Sequence, residues 1–395
     1  MGTRVARSGR VGSAPAFRRA PHVLSFWQDG RLAVFNYATG FGVRATPLVI
    51  ELLDQLAEWR TWRDLSAGKS REEQRLLRQL IERLIVRTFV ARSTDRPREI
   101  DGQLSRWGSW NPTAGFFHLA TKDVPFGSAP SDQIALSCER ARTVPLPSPL
   151  KTDRAVGVGL PRANVDGEVP SLLLARRTWR QFSQRPVALA NLATLLQLTW
   201  GVQGWIEVPQ LGRFALKTSP SGGARHSIEV YVLARNVAGL GRGLYHYNPD
   251  SHRLVAVRRN AVPRVSDYLP GQAWYDDAAA LLLMTAVFER VQWRYAYARA
   301  YRAVLAEAGH LCQTFCLVAT WLGLAPFCSM ALADSRVERD LKIDGVSESV
   351  LYAAGVGTRP EGMDWAPWPG TRKTPEIKAS TSANSRNPSV RDVRR

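Results

Sequence analysis

One stretch restricts the fold more than any other: YRAVLAEAGHLCQTFCLVATWLGLAP, Tyr301 to Pro326. It reads as a single long, mostly apolar helix. A helix that is apolar nearly all round has to be buried, so the fold must be built around it. Glu307, His310 and Gln313 interrupt the apolar run and share a face at i, i+3, i+6. Polar groups at such positions need partners. Those partners are either backbone groups of a neighbouring subunit or the edge of a ligand.

A second stretch, LKTSPSGGARHSIEVYVLARN (Leu216 to Asn236), runs from a turn cluster into a β-branched segment. Ser227 to Ala234 is expected as a strand, with Gly243 to Asn248 as its antiparallel partner. Pro220, Ser221, Gly222 and Gly223 can present bare backbone N–H groups to a ligand; a plain hairpin turn would look the same. The loop is not a Walker loop, because no Gly-Lys-Ser/Thr follows it. Nor is it a dinucleotide fingerprint, because no strand–GxGxxG–helix order exists. The roles of Arg225 and His226 stay open. Further upstream, Arg176, Arg177 and Arg180 fall within five residues, followed by Phe182. Arginine forks pair with phosphate oxygens, although a solvated helix end carries the same residues. The segment VALANLATLLQLTWG then predicts an amphipathic helix stopped by Gly201.

The remaining pattern divides the chain into five parts. Residues 1–20 have the composition of a disordered basic segment. Residues 21–95 read as a small winged-helix-like module. It holds a hairpin over His22 to Tyr37 turning at Asp29-Gly30, a helix over Thr46 to Trp59, and a helix over Ser70 to Arg92 opened by a Ser70/Glu73 capping box. Residues 96–165 read as a linker with an aromatic packing segment, residues 166–360 as the main domain, and residues 361–395 as a disordered basic tail.

The 395 residues are 45% hydrophobic, enough for one large domain and a smaller one. The formal net charge of +19 favours anionic partners, though arginine use in a biased genome has the same signature. Four cysteines imply no disulfide framework and fit a reducing cytoplasm. Cys312 and Cys316 lie one helical turn apart. No further ligand pair stands at zinc spacing, so the pair is read as small core residues and no metal is expected. The basic N-terminus lacks an apolar h-region, and no run reaches 18 apolar residues, so neither a secretion signal nor a membrane span is expected.

Taken in order, RRTWRQF, PSGGARHSIEVYV, GLYHYN, RAYR…EAGHLCQTFCLVATWLGLAP and LYAAGVGTRP resemble the nitroreductase superfamily, and within it the SagB-type branch whose members oxidise peptide azolines. The resemblance covers Leu172 to Pro360, and more loosely the N-terminal module and Phe116 to Asp123. It implies an α+β fold of three layers with a central, mostly antiparallel sheet, preceded by the winged-helix-like module. It also implies a homodimer with FMN at the interface and hydride transfer through flavin N5. By motif position, Arg176, Arg177, Thr178 and Arg180 would hold the phosphate, ribityl chain and pyrimidine edge. Pro220, Ser221, Gly222 and Gly223 would pack along the ring, with Gln313 also at the cofactor. Gly355, Gly357 and Arg359 match a C-terminal glycine turn and basic residue near the phosphate. Backbone N–H groups around Cys328 to Ala331, including Ser329 and Met330, would face N5. Transient NAD(P)H would need no fingerprint of its own.

Two departures bear on the substrate. Azole-forming members carry a Lys-Tyr pair as base, and the matching position here is Arg294-Tyr295. An arginine stays protonated and is a poor base, whereas Tyr295 can still handle a proton. The familial ARHP reads ARHS, with Ser227 in place of proline. The implied substrate is a small molecule or peptide. Two other readings are a catalytically weak flavoprotein scaffold in a peptide-modifying complex and a winged-helix nucleic-acid-binding regulator. Against the latter, Glu72, Glu73 and Glu82 intersperse Arg71, Arg75 and Arg78, as on an ordinary solvated face.

Overall fold

The computed structural model describes residues 14–126, 130–145, 147–149, 158, 160, 161, 163–260 and 262–363. Expectations for residues 1–13 and 364–395 lie outside the described residues.

The N-terminal part opens with β1 (Ala16–Arg19), β2 (Val23–Gln28), β3 (Arg31–Asn36) and β4 (Phe41–Arg44). The hairpin turns as expected: Asp29 and Gly30 have φ of 49° and 71°, the left-handed pair of a two-residue turn. Next come α1 (Pro47–Gln55), β5 (Arg60–Thr61), α2 (Trp62–Ser66), α3 (Arg71–Val86) and β6 (Val90–Arg92). The capping box forms, with Ser70 N donating to Glu73 Oε2 (2.7 Å) and Glu73 N donating to Ser70 Oγ (3.3 Å).

Two expectations are corrected here. Residues 16–19 are not disordered but form the middle strand of the sheet β5-β1-β6, and Phe17 joins Leu52, Ile81 and Phe89 in a small core. The helix expected to reach Arg92 ends at Val86. Thr88 adopts φ 62°, and Val90 to Arg92 beyond it pair with β1.

The stretch expected as a linker is largely helical: α4 (Glu99–Ser105), α5 (Thr113–Ala120) and α6 (Pro130–Thr143). Its aromatic residues enter the main core. Trp107 and Trp110 are buried, and Trp107 Nε1 donates to Val346 O at 3.2 Å. His118 is buried too. Its Nε2 donates to Gly345 O at 2.9 Å and its Nδ1 accepts from Tyr301 Oη at 2.9 Å. Burial holds His118 down, to about 4, so it is neutral.

The main part comprises α7 (Glu168–Ala175), β7 (Val187–Ala188), α8 (Leu189–Trp200), β8 (Gly204–Val208), β9 (Gly212–Leu216), β10 (Ile228–Ala234), β11 (Val237–Ala238), β12 (Gly243–Asn248), β13 (Arg253–Arg259), β14 (Ala280–Val287), α9 (Glu289–Gln292), α10 (Tyr301–Trp321), β15 (Leu324–Ser329), α11 (Asp334–Leu341) and β16 (Glu348–Thr358). Six strands form one antiparallel sheet in the order β13-β12-β10-β14-β16-β15.

The sheet is covered on both faces, so its central strands are largely apolar, with Glu229 of β10 and Thr285 of β14 as exceptions. Alternate residues serve opposite faces. Val230 and Val232 of β10, with Leu282 and Met284 of β14, pack on α8 and α10. Tyr231, Leu233, Leu281 and Leu283 pack on Trp179, Tyr268, Tyr275 and α11. The result is three layers with α10 inside. With its three preceding residues, α10 is long and apolar enough to cross a membrane by length and composition alone, yet half of that window is buried inside the fold.

Candidate functional site

The polar interruptions of α10 find their partners within the chain. Ser219 Oγ and Thr314 Oγ1 are 2.7 Å apart, and His310 Nδ1 donates to Pro220 O at 3.2 Å. Glu307 is buried. It accepts from Ser221 Oγ (2.8 Å), Ser227 Oγ (3.1 Å) and Ile228 N (3.3 Å). Burial raises its carboxyl above the usual range, and those three bonds oppose the rise. Ser221 Oγ also accepts from His226 N at 2.9 Å. One carboxylate therefore clamps both ends of the loop from Ser221 to Ser227. Gln313, one of the residues expected to face a cofactor, is exposed on another face.

The loop's other side meets the expected catalytic pair. Gly223 has φ +63°, and a Cβ on it would lie 2.5 Å from Arg294 Cδ and 2.7 Å from Tyr295 Oη. Only glycine fits there without displacing those side chains. A Cβ on Gly222 would touch Ala303 at 3.4 Å. Arg294 Nε donates to Tyr295 Oη at 3.3 Å. The aromatic segment supports this turn from behind: Trp110 Nε1 donates to Tyr295 O at 2.9 Å, and Ser109 Oγ donates to Ala296 O. Nothing in the sequence pattern linked Trp110 to Tyr295, which is 185 residues away.

Arg225 and His226, whose roles the sequence left open, are engaged locally. Arg225 lies over Phe214 and Trp293, 5.1 and 4.7 Å from the ring centroids, and donates to Arg290 O at 3.1 Å. His226 Nε2 donates to Ala215 O at 3.0 Å. Burial, then the nearby charge of Lys217, holds the His226 ring down to about 4.

The arginine group occupies a different place. Arg176 to Arg180 follow α7. Trp179 is buried and its N–H donates to Pro326 O at 2.9 Å. Arg359 lies 5.2 Å over the Trp179 ring and donates to Leu324 O (2.9 Å) and Thr320 O (3.3 Å), at the carboxyl end of α10. Arg177 Nη1 donates to the carbonyls of Leu174 and Arg176, both at 2.7 Å. Thr178 and Arg180 are half-buried, and burial lowers Arg180 while Tyr275 opposes that. Among the described residues, neither Arg176 nor Arg177 has an ion-pair partner. Such a set of guanidinium groups suits an anion.

Two expected contributors have a different local setting. Gly355 and Gly357 lie inside β16, not in a turn. A Cβ on Gly355 would run into the Phe327 ring, and one on Gly357 would lie 2.5 Å from Phe182 Cδ1. These glycines make room for core aromatic rings, and the expected glycine turn is corrected accordingly. At the end of β15, Met330 is exposed, and the Ala331 N–H donates to Ser329 Oγ at 3.2 Å.

The two groups lie toward different sides of α10. The loop is held by Glu307, His310 and Thr314 of α10, whereas Cys312 and Cys316 face β15 and the arginine side. At 100° per residue, Glu307 and Cys312 point about 140° apart.

A family model described as the nitroreductase family matches residues 173–358. The chain is 30% identical to MJ1384 of Methanocaldococcus jannaschii, which bears the nitroreductase name, over 177 residues, 45% of this chain and 85% of that protein. It is 36% identical to the trifolitoxin-processing protein TfxB of Rhizobium leguminosarum bv. trifolii over 148 residues, 36% of this chain and 39% of that protein. It is 32% identical to the microcin B17-processing protein McbC of Escherichia coli over 135 residues, 32% of this chain and 48% of that protein. The matched stretches thus span less than half of either processing protein.

Proposed function

The chain belongs to the nitroreductase family, and from that premise we propose that it is an FMN-dependent oxidoreductase acting on a peptide-derived heterocycle. The observation that carries this reading is the loop at Gly222-Gly223, clamped by Glu307 and set directly against Arg294 and Tyr295. The names of two relatives, a trifolitoxin-processing and a microcin B17-processing protein, support the substrate class.

The residues present fit FMN. Arg176 and Arg177, with no ion-pair partner among the described residues, would hold the phosphate, with Thr178, Arg180 and Arg359 beside them. Gly222 and Gly223 offer backbone without side chains to a flat ring. When bound, FMN supplies two-electron hydride chemistry through N5, which no protein side chain can provide. Because the arginine group and the loop point away from each other around α10, a homodimer completes the site, with the loop of one subunit serving the cofactor of the other. A reductant such as NAD(P)H would visit the site transiently.

Tyr295 handles the proton. Its oxygen accepts from Arg294 Nε, so its own hydrogen is directed elsewhere, toward a substrate atom. Arg294 remains a fixed cation that positions the phenol. Replacing Tyr295 with Phe should lower turnover by about 10²–10⁴-fold with flavin content unchanged; unchanged turnover would remove Tyr295 from the chemistry. A second reading, a flavoprotein scaffold with weak turnover, draws on Arg294 standing where azole-forming relatives carry lysine. Stopped-flow reduction by NAD(P)H separates the two, since a scaffold would bind FMN without being reduced.

The primary test is direct. Full-length protein should purify yellow, release FMN on denaturation at about one per subunit, and elute as a dimer. A colourless protein that FMN cannot reconstitute would overturn the assignment.

A further inference from the structure

We propose that Cys312, Cys316 and Cys328 form a closed, thiolate-rich site for a single Zn(II) ion. The three sulfur atoms lie within 4.8 Å of one another. Sequence spacing exposed only the first two, one turn apart on α10; the third arrives from β15, which returns along the helix. Cys312 and Cys316 are buried and Cys328 is half-buried. Tetrahedral zinc–thiolate bonds of about 2.3 Å place sulfurs about 3.8 Å apart. Closing the observed triangle needs a contraction of no more than about 1 Å.

The surroundings suit a bound cation rather than three idle thiols. Tyr352 Oη donates to Cys328 Sγ at 3.6 Å, a contact that stabilises a thiolate or, with small rotation, fills a fourth coordination position. The Arg176 guanidinium lies within electrostatic reach of Cys316 and Cys328.

Charge selects the ion. Three thiolates with one divalent cation leave a single negative charge, which Arg176 offsets. A monovalent soft ion would leave two, at a greater penalty in a half-dry interior. Thiolate softness excludes the hard cations magnesium and calcium. The site ties α10 to the end of β15 immediately before Ser329 and Met330. It does not depend on the flavin reading.

The test uses the full chain, reduced, stripped with a chelator and handled anaerobically. Cadmium(II) serves as the spectroscopic probe. We expect an ultraviolet sulfur-to-cadmium charge-transfer band that saturates at one ion per chain and is displaced by Zn(II). Zn(II) should also protect three of the four cysteines from alkylation in the unaltered chain, leaving the exposed Cys138 reactive. Replacing Cys312, Cys316 or Cys328 with Ser should weaken binding at least about tenfold, and Tyr352→Phe by about 10–100-fold, while Cys138→Ser leaves it unchanged. The alkylation pattern needs no variant, so a misfolded substitution does not rescue the idea. Absence of the band, zinc-independent alkylation of all four thiols, loss of the band in Cys138→Ser, or a disulfide among the three with no metal bound would each overturn the proposal.

Discussion

Two glycine pairs occupy equivalent standing in the family motifs, and their surroundings could hardly differ more. Gly355 and Gly357 sit in β16 beneath Phe327 and Phe182. Phe327 in turn stacks on Tyr275, with centroids 3.7 Å apart. Gly222 and Gly223 sit in a surface turn beside Arg294 and Tyr295. The first pair is bare so that the chain's own core can close. The second is bare beside polar side chains with chemistry to perform. A motif glycine therefore carries no single meaning until its neighbours are known.

The contrast is broken most forcefully at Gly355. Valine there would drive the Phe327 ring off Tyr275 and separate β15 from β16. Overpacking of this kind destabilises by about 3 kcal/mol or more. Urea denaturation should show a large drop in midpoint, and any cofactor should be lost together with the fold. A Gly355→Val protein of normal stability would mean that β15 and β16 tolerate a different packing.

Next in size is Glu307→Ala. It strands Ser221 Oγ, Ser227 Oγ and the Ile228 N–H, all of which now end on one carboxylate. Leaving such groups unpaired costs about 3 kcal/mol. Hydrogen exchange at Ile228 should accelerate by more than the global unfolding rate explains, because the loop releases before the sheet does. Exchange that tracks global unfolding alone would show that Glu307 supports the core rather than the loop.

Much of this was legible in sequence, and the failures have a common cause. The course of α10 from Tyr301 to Trp321, the hairpin at Asp29-Gly30 and the strand from Ile228 to Ala234 follow from local periodicity and turn chemistry, but Leu324 to Pro326, expected to continue that helix, begin β15 instead. What escaped notice depends on partners distant in sequence. Ala16–Arg19 is a strand only because β5 and β6 flank it. Trp110 is a support only because it reaches Tyr295. Cys328 joins Cys312 and Cys316 only because β15 folds back along α10. The stretch LYAAGVGT, where the family resemblance implied a glycine turn, is a strand, since Phe327 and Phe182 fill the space that side chains at Gly355 and Gly357 would otherwise take. In each case the local segment is ambiguous and a long-range contact decides it.

Gly223→Val sharpens the comparison from the other side. A β-branched residue at φ +63° stores about 1–3 kcal/mol of backbone strain, and its side chain would displace Arg294 and Tyr295. Because the turn is at the surface, the thermal midpoint should fall less than for Gly355→Val. Flavin content, in contrast, should fall sharply. Full flavin retention in Gly223→Val would return the loop to an ordinary turn and move the proposed site elsewhere.

The smallest effect expected is a pH dependence confined to the loop. His226 is held neutral by burial and by Lys217, with its folded value near 4 against 6.5 for an ordinary histidine. The folded state therefore binds fewer protons than the unfolded one between those values. Stability contributed by the neutral ring is intact above about pH 6.5 and is lost as pH falls toward 4. His118 acts in the same direction from deep in the core, so the loop must be isolated by difference. His226 is only half-buried and solvent screens it, which limits its share to about 1 kcal/mol. Replacing His226 with Gln keeps a side-chain donor for Ala215 O and removes the titration. Denaturation midpoints at pH 7 and pH 4.5 should then converge slightly compared with the parent chain. An unchanged pH slope would assign the acid sensitivity to groups outside the loop, such as the buried His118 and His22, and leave the loop electrostatically silent.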